Sequence, residues 1–443
     1  MKKAEGSART YPILLRAALA GLVYAGALLL SYHFGGGFEQ EANIWLPSGI
    51  AIGVLTLADP LRWPSYLVGI GLGAFAGNLA SGAFWVPSII YALQELAVAV
   101  PIAWLLRRLL GPVPRLDEVR KVWIFAAVGA LGSAVLGWAV ALLAYAVLGL
   151  PSPASQWPLW IVSGTVGTLV IAPLLFAWAG LRAKRSGGPT MSDLALGGVF
   201  FLLMVVVALV IFRGDTAARF SGSVGIALTY LPLAFLVLGA LAWGARGATL
   251  ATFVLAALAV LYTEVGEGPF AGIEGFLGEG VLEVQAYVAA AALLTLMVTA
   301  LQGSQERALR EATEWRVRYE AVIGANDQLL FELDPLSGRL NWAGDTRRLL
   351  GVEPEQIDTL AAYLDRVHPD DRDALRSAFK SLGRGIEVHL DAGHRFESRA
   401  GDEKRLEGEA TAIVDFDDTI HRFVGFLRPV RSADSDQRIS AHR

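Results

Sequence analysis

The chain of 443 residues contains no cysteine. Disulfides, thiolate metal sites, iron–sulfur clusters and cysteinyl-flavin photochemistry are therefore excluded. Charge is scarce as well. Only 18% of residues are charged, where a soluble globular chain carries about 25%, and 54% are hydrophobic. The scarcity is local. Residues 1–302 hold 30 charged side chains, 16 basic and 14 acidic, whereas residues 303–443 hold 48, 21 basic and 27 acidic. That contrast reads as a membrane region followed by a soluble domain. The soluble part is acidic at −6, which speaks against nucleic acid as a partner.

Long apolar runs fill the first part. Windows of about 20 apolar residues place ten spans, at 12–33, 43–58, 64–83, 86–106, 121–149, 157–180, 192–212, 222–243, 247–263 and 281–302. The first is read as a retained span, because no cleavage site follows it. Pro47 sits in the first turn of the second, where proline is tolerated. The loops test the count independently. With the N-terminus inside, thirteen Lys and Arg fall on inner segments, from Lys2 to Arg246, and only Arg213 and Arg219 fall outside. That bias places the N-terminus and the chain after Gln302 in the cytoplasm. The expected partner is the lipid bilayer, and the expected location is a cytoplasmic (inner) membrane.

Polar residues inside spans are the candidates for function. Gln94-Glu95 lies near the centre of the fourth span, where a carboxylate is costly. Two readings stand: a sensing carboxylate, or a protonated Glu hydrogen-bonded to a neighbouring helix. Asn78 is read first as interhelical glue. Gly69, Gly73 and Gly77 recur every four residues and form a packing ridge, not a phosphate loop. Trp45, Trp85, Trp157 and Trp160 stand at outer span ends and read as an aromatic belt, with a ligand cage as the alternative. Glu95, Asn78 and Trp45 are the ligand-binding candidates.

Residues 303–325 change character to Glu, Arg and Ala. Leu301, Ala308, Trp315 and Val322 recur every seven residues, with Gln305, Ala312 and Tyr319 four residues after the first three. This a/d seam predicts a helical linker that pairs two copies in parallel. A single amphipathic helix is the alternative. Residues 326–430 then read as a folded domain. Strands are expected at Gln328–Asp334 and Arg339–Trp342, short helical pieces at Thr346–Leu350, Glu355–Asp358 and Leu360–Val367, and a helix at Asp370–Leu382 capped by Asp370. Three more strands follow near 393–400, 404–415 and 420–430, with turns at Gly401-Asp402 and Asp417-Asp418. Residues 431–443 read as a disordered tail.

Four stretches in the membrane part resemble the integral membrane-associated sensor family of bacteria, the first MASE type. They are Trp45-Leu46-Pro47-Ser48-Gly49-Ile50-Ala51, Trp63-Pro64 with Gly69 and Asn78, Gly167 to Leu175, and Trp243-Gly244-Ala245-Arg246-Gly247-Ala248 followed by Gly266 to Phe270. Where that family often has an acidic residue, this chain has Gly164. The soluble domain resembles the third PAS-fold subfamily. His368-Pro369-Asp370-Asp371-Arg372 carries its most specific motif, His394-Arg395-Phe396 its Tyr-Arg strand, and Phe416 to Phe426 its final hairpin with Gly425. The implied fold is an all-α polytopic bundle of about ten spans (1–302), a coiled-coil linker (303–325) and an α+β PAS domain with a five-stranded antiparallel sheet (326–430).

The resemblance implies a signal-transducing sensor. PAS pockets can hold haem, flavin or small metabolites, but no cofactor is assigned. Haem would need an axial ligand. His368 reads as a structural helix-start residue, and His389, His394 and His421 are too scattered for a metal site. Phe331, Trp342, Leu349, Leu350 and Tyr363 read as core. No nucleophile–base pair or phosphate loop appears, so the chain reads as a sensor without its own enzyme, a homodimer through the linker and PAS domain that acts on a kinase or cyclase partner. The alternatives are a sensory fragment of a longer histidine kinase or diguanylate cyclase, and a PAS-regulated secondary transporter. Against the transporter stands the lack of an internal repeat.

Overall fold

The computed structural model describes residues 2–33, 44–148, 157–179, 191–213, 227–271, 279–325, 328–382, 393–398, 401–414 and 420–430. Of residues 2–12, 157, 316–325, 382, 414 and 420 it describes the backbone alone. Asp417-Asp418, His389 and the tail 431–443 lie outside the described residues, as do the side chains of Trp157, Tyr319 and Val322. The chain divides into two units, Met1–Arg307 and Ala308–Arg443. Residues 303–307, expected in the linker, thus pack with the first unit.

The first unit is helical. Its helices are α1 (Lys2–His33), α2 (Leu46–Leu57), α3 (Trp63–Ala80), α4 (Trp85–Leu110), α5 (Val119–Leu148), α6 (Trp157–Trp178), α7 (Met191–Phe212), α8 (Leu231–Glu264) and α9 (Glu279–Ala325), the last running on past Arg307. Each of the ten expected windows carries helix. Among the described residues, however, seven helices are long and apolar enough to cross a membrane. Three local causes separate seven from ten. Helix α2 has 12 residues, about 18 Å at 1.5 Å per residue, too short to cross alone. Helix α3 gives up apolar side chains for its glycines. The windows 222–243 and 247–263 are joined in α8 across a break at Gly244, whose φ of 63° and ψ of −162° suit glycine.

The glycine ridge is where α1 meets α3. A Cβ at Gly69 would stand 2.2 Å from the Ala17 carbonyl oxygen, and one at Gly73 would stand 2.4 Å from that of Gly21. No larger residue fits at either point. Helices α2 and α6 meet in the same way, since a Cβ at Gly167 would lie 1.9 Å from the Trp45 carbonyl oxygen. Small residues allow this backbone approach, which supplies van der Waals contact where lipid removes the hydrophobic drive. The short α2 is tied at its C-terminus. The Arg107 guanidinium donates to the carbonyls of Thr56 and Ala58 at 2.5 and 2.7 Å, and the Trp63 indole donates to that of Leu55 at 2.9 Å. These bonds satisfy carbonyls that the helix end leaves open.

The Trp243–Gly247 stretch works as a corner. Trp243 fits against Gly197 and Gly247 and donates to the Leu194 carbonyl at 3.0 Å. Arg246 donates to the Ala177 carbonyl at 3.2 Å, closing the end of α6.

The second unit carries a five-stranded antiparallel sheet of β1 (Leu329–Leu333), β2 (Leu340–Ala343), β3 (His394–Glu397), β4 (Glu403–Val414) and β5 (Ile420–Pro429), in the order β2-β1-β5-β4-β3. Helices α10 (Thr346–Leu349), α11 (Leu360–Asp365) and α12 (Pro369–Leu382), with a 3₁₀ turn at Pro354–Gln356, lie between β2 and β3. Strand β1 alternates buried and half-buried residues, so Leu329, Phe331 and Leu333 enter the core. There they join Leu340, Leu350, Val352, Ile357, Tyr363, Val367, Phe396 and Leu406. Gly425 pairs with Phe331, and a Cβ there would meet the Glu409 carbonyl oxygen at 2.4 Å. Gly401, with φ of 77°, turns β3 into β4.

One expectation is corrected. Asp370 does not cap its helix, which begins one residue earlier at Pro369. The His368 carbonyl accepts from the Asp371 amide at 2.9 Å, while the Asp370 carboxylate turns to Arg395 at 3.3 Å. Proline at the first helical position explains the shift, because it has no amide to satisfy.

Candidate functional site

Glu95, Asn78 and Trp45 come from three separate stretches of sequence, and the fold gathers them into one polar chain inside the first unit. Helix α1 supplies Tyr24, Ser31 and Tyr32. Tyr24, Leu28 and Ser31 recur on one helical face and are 1%, 0% and 2% exposed, while Leu22, Val23, Leu29 and Leu30 face outward. The Tyr32 hydroxyl donates to the Asn78 side-chain oxygen at 3.1 Å, and the Asn78 amide nitrogen donates to the Ala74 carbonyl at 2.8 Å. Asn78 is 2% exposed, so glue between α1 and α3 is an accurate description of its contacts. The ring of Tyr32 meets that of Trp45 edge-on at 5.3 Å. Trp45 therefore departs from the expected belt. Its amide donates to the Ser163 carbonyl at 3.2 Å, and its indole is directed at Glu95. Trp85, 65% exposed, fits the belt.

The Ser48 hydroxyl donates to Glu95 Oε2 at 3.4 Å, and the Tyr24 hydroxyl is directed at the same carboxylate. Three donors from α1 and the start of α2 thus face one carboxylate from α4. Glu95 Oε1 is buried with no hydrogen-bond partner. Gln94, one residue away, turns to a different neighbour and donates to the Gly137 carbonyl of α5 at 3.1 Å. Gly164 takes no part in the polar chain. It lets α6 approach α5, because a Cβ there would lie 3.3 Å from that of Ala134.

Tyr24 and Ser48 were not among the residues singled out from sequence. Tyr24 could have been found from its spacing to Leu28 and Ser31 in the otherwise apolar stretch from Ala17 to Leu30. Ser48 carries no signal of its own before α2 is placed against α4.

In the second unit, the His368–Arg372 motif builds a joint. The Arg372 guanidinium donates to the carbonyls of Val367 and Asp365 at 2.7 and 2.8 Å. The His368 amide donates to the Arg395 carbonyl at 2.9 Å. Asp371 receives the Arg395 amide at 2.8 Å and its guanidinium at 3.0 Å. Arg395 holds the Asp371 carboxyl well below its usual range, at about 2. The His368 ring lies 3.4 Å from Asp370 and 3.8 Å from Glu403. These contacts lock α12 to β3, as a structural motif does.

Phe331, Leu340, Trp342, Tyr363, Leu375, Phe379, His394, Gly408 and Leu427 line a cavity of about 10 Å³, roughly the space one water needs. Its polar feature is a buried pair, in which the Tyr363 hydroxyl meets His394 Nε2 at 2.6 Å. Burial pushes the Tyr363 hydroxyl well above the usual range. His394, read as a strand residue, is 3% exposed and belongs to this wall. Phe331, Trp342 and Tyr363 both form core and line the cavity, while Leu349 and Leu350 are core alone. Among the described residues no group of three His, Cys, Asp or Glu is placed to hold a metal ion.

The comparisons agree with this division. The MASE1 family profile matches residues 14–306, and a PAS-fold profile matches residues 339–427. The chain belongs to the MASE1 family, as a multi-pass membrane sensor carrying a PAS domain. No curated protein matches it. Among solved structures, a sensory box histidine kinase/response regulator from Burkholderia thailandensis is similar at 22% identity and a TM-score of 0.23. It covers 28% of this chain and 95% of its own. The N-terminal domain of a diguanylate cyclase with a PAS/PAC sensor from Marinobacter aquaeolei is similar at 16% identity and a TM-score of 0.22. It covers 23% of this chain and 94% of its own.

Proposed function

We propose that the protein is an integral sensor of the bacterial inner membrane. A cue in the membrane or outside it acts on the bundle, a helix carries the change, and the PAS domain passes it to an effector kinase or cyclase. The observation that carries this reading is α9, which runs unbroken from Glu279 to Ala325 and is followed at Leu329 by the first PAS strand. Within α9 itself, a movement of the span along or about its axis meets no break before Ala325. The chain itself is proposed to catalyse no reaction.

Pairing of two copies through the linker is part of the proposal. Leu301 and Trp315 are 55% and 69% exposed, with Ala308 and Ala312 also exposed. Beyond the end of the span, at Ala308, Ala312 and Trp315, an apolar seam left in water favours a partner helix. Leu309, 69% exposed, stands beside the seam and was not in the predicted pattern.

Glu95 is proposed to be the sensing group, because three donors converge on a carboxylate that could otherwise be Leu at no cost in such a span. The test uses fluorescent donors and acceptors fused after Arg443 in coexpressed copies. A signalling role predicts that Glu95→Gln, which keeps the shape and removes the titrating proton, changes energy transfer at unchanged protein level. Unchanged transfer in both Glu95→Gln and Glu95→Leu would end this role. Topology is tested separately. Reporters fused after Gln302 and at Gly268 should give opposite signals, and equal signals would overturn the cytoplasmic C-terminus.

A further inference from the structure

Where α9 leaves the membrane unit, it is fastened to the connection between α4 and α5. The Arg307 guanidinium donates to Glu118 Oε1 at 2.5 Å and also to the Asp117 carbonyl, and it lies 3.7 Å from the Asp117 carboxylate. The Ser304 hydroxyl approaches the Asp117 carbonyl at 3.4 Å. Lys121 holds both acids from their own side, at 3.1 Å from Asp117 and 2.7 Å from Glu118. Lys121 and Arg307 keep the Glu118 carboxyl below its usual range. The approach depends on Gly303, where a Cβ would stand 3.0 Å from both the Cβ and the carbonyl oxygen of Asp117. Single ion pairs this exposed contribute little. Here several contacts converge on one guanidinium, and a glycine is placed so that they can.

A second observation concerns what lies behind the acids. Helix α5 begins as a six-residue α-helix, Val119–Ile124, and then passes through seven residues of π-helix, Phe125–Leu131, before resuming as α-helix at Gly132. The Gly132 amide donates to the Ala127 carbonyl, five residues back. Such segments are rare and gather at functional sites. A π turn holds one residue of slack. If it passes toward the N-terminus, Val119–Ile124 rotates by about 100° and slides by about 1.5 Å. That motion carries Glu118 away from Arg307. The π segment packs on α4, with Gly129 close to Leu106, and Gln94 of α4 bonds Gly137 in the same helix beyond it.

We infer that Asp117, Glu118 and Arg307 form a latch on the signalling helix, and that the π segment of α5 is the element whose register closes or opens it. The latch rests on the proposed reading of α9 as the signal-carrying helix, and not on Glu95 as the sensing group.

The absence of cysteine makes the test direct, because every introduced thiol is unique. The full-length protein in lipid nanodiscs would carry spin labels at two pairs of exposed sites. Val113→Cys with Leu309→Cys reports the latch, and Trp123→Cys with Leu143→Cys reports the register across the π segment. In the parent, with labelled copies diluted into an excess of unlabelled ones so that only distances within one copy are read, both pairs should give one narrow distance. Arg307→Glu should raise the separated population of the first pair at least about 10-fold, equivalent to about 1.4 kcal/mol. Adding Glu118→Arg to that variant should restore the narrow distance. Gly303→Leu, which keeps every charge, should open the latch by bulk alone. If Arg307→Glu does not accumulate, Gly303→Leu and the parent in about 1 M salt, where screening reaches about 3 Å, make the same comparison. An unchanged first distance under these perturbations overturns the latch. The second pair should shift by several ångströms in whichever variant opens the latch. It should stay fixed when Val128 is also deleted, since the deletion removes the slack residue. A second distance that is constant in the opened variant, or that still shifts after the deletion, overturns the π segment's role.

Discussion

The two units solve the packing problem with opposite materials. In the membrane unit the tightest contacts are made by Gly and Ala: Gly69 on Ala17, Gly73 on Gly21, and Gly167 on the backbone of Trp45. Many of its large apolar side chains face outward, with Leu22, Leu143 and Val147 at 71%, 65% and 76% exposed. In the PAS unit Phe331, Phe396, Leu350 and Tyr363 fill the interior, and ion pairs such as Arg422 with Glu332 and Arg428 with Glu407 lie across the strands outside. The solvent explains the inversion. Water rewards burial of apolar area, at about 25 cal/mol per Å². Lipid gives no such reward, so helices associate through close backbone contact and a few internal hydrogen bonds. Polar groups follow the same logic. The Glu95 cluster is turned inward because lipid offers it no partners, while the Asp371–Arg395 pair remains partly in water.

The comparison can be broken by substitutions that should be fatal in one unit and tolerated in the other. The largest effect is expected from Gly167→Val. A side chain 1.9 Å from a backbone oxygen cannot be relieved by changing a rotamer, so the cost should exceed the roughly 1–3 kcal/mol of ordinary overpacking. Size-exclusion in mild detergent should show loss of the monodisperse species, and a native profile would refute the close-contact account. Next is Phe396→Ala, which empties a position that is 0% exposed and stacked on Tyr363 at 5.3 Å. A loss of about 3–5 kcal/mol is expected, confined to the PAS unit. Hydrogen exchange should rise in strands β3 to β5 and remain unchanged in α1 to α8.

The smallest effect is a pH dependence. Arg395 depresses the folded value of Asp371 to about 2, below an unfolded value of about 3.9. The contribution is therefore fully present above about pH 4 and is lost as pH falls through about 2. It is expected to be about 1 kcal/mol after solvent screening. In Asp371→Asn the difference in PAS protection from the parent should shrink as pH falls from 6 to 3. A constant difference would show that Arg395 does not set this carboxyl's titration.

How much of this was legible beforehand differs between the units. The spans and both structural families follow from the sequence alone, because hydropathy, charge placement and motif order are local properties of the chain. The PAS strands were placed to within one to three residues at most ends by alternation and turn residues. The span count is the coarser part: a hydropathy window cannot see that α2 stops after 12 residues, or that the helices of windows 222–243 and 247–263 meet at a sharp break at Gly244. Glu95 was recognisable because a carboxylate is conspicuous among apolar residues. The company it keeps was not: Trp45 was singled out on its own, Tyr24 is marked only by its spacing to Leu28 and Ser31, and Ser48 is unremarkable, so nothing along the chain joins the three to Glu95.

What the sequence determined by itself, then, is composition along a line: which segments enter lipid, which fold in water, and which helix continues between them. What only the tertiary structure decided is convergence. Trp45 turned from a presumed belt into the bundle because Gly167 lets α2 and α6 touch there, and its indole then finds Glu95 on a third helix. Arg307 meets Glu118 across 189 positions of chain because Gly303 leaves room for the Asp117 backbone. Contacts of this kind depend on distances between elements, and those distances are set by the absence of side-chain atoms at a few glycines. A periodicity records which residues share a face. It does not record how close the opposing face is allowed to come.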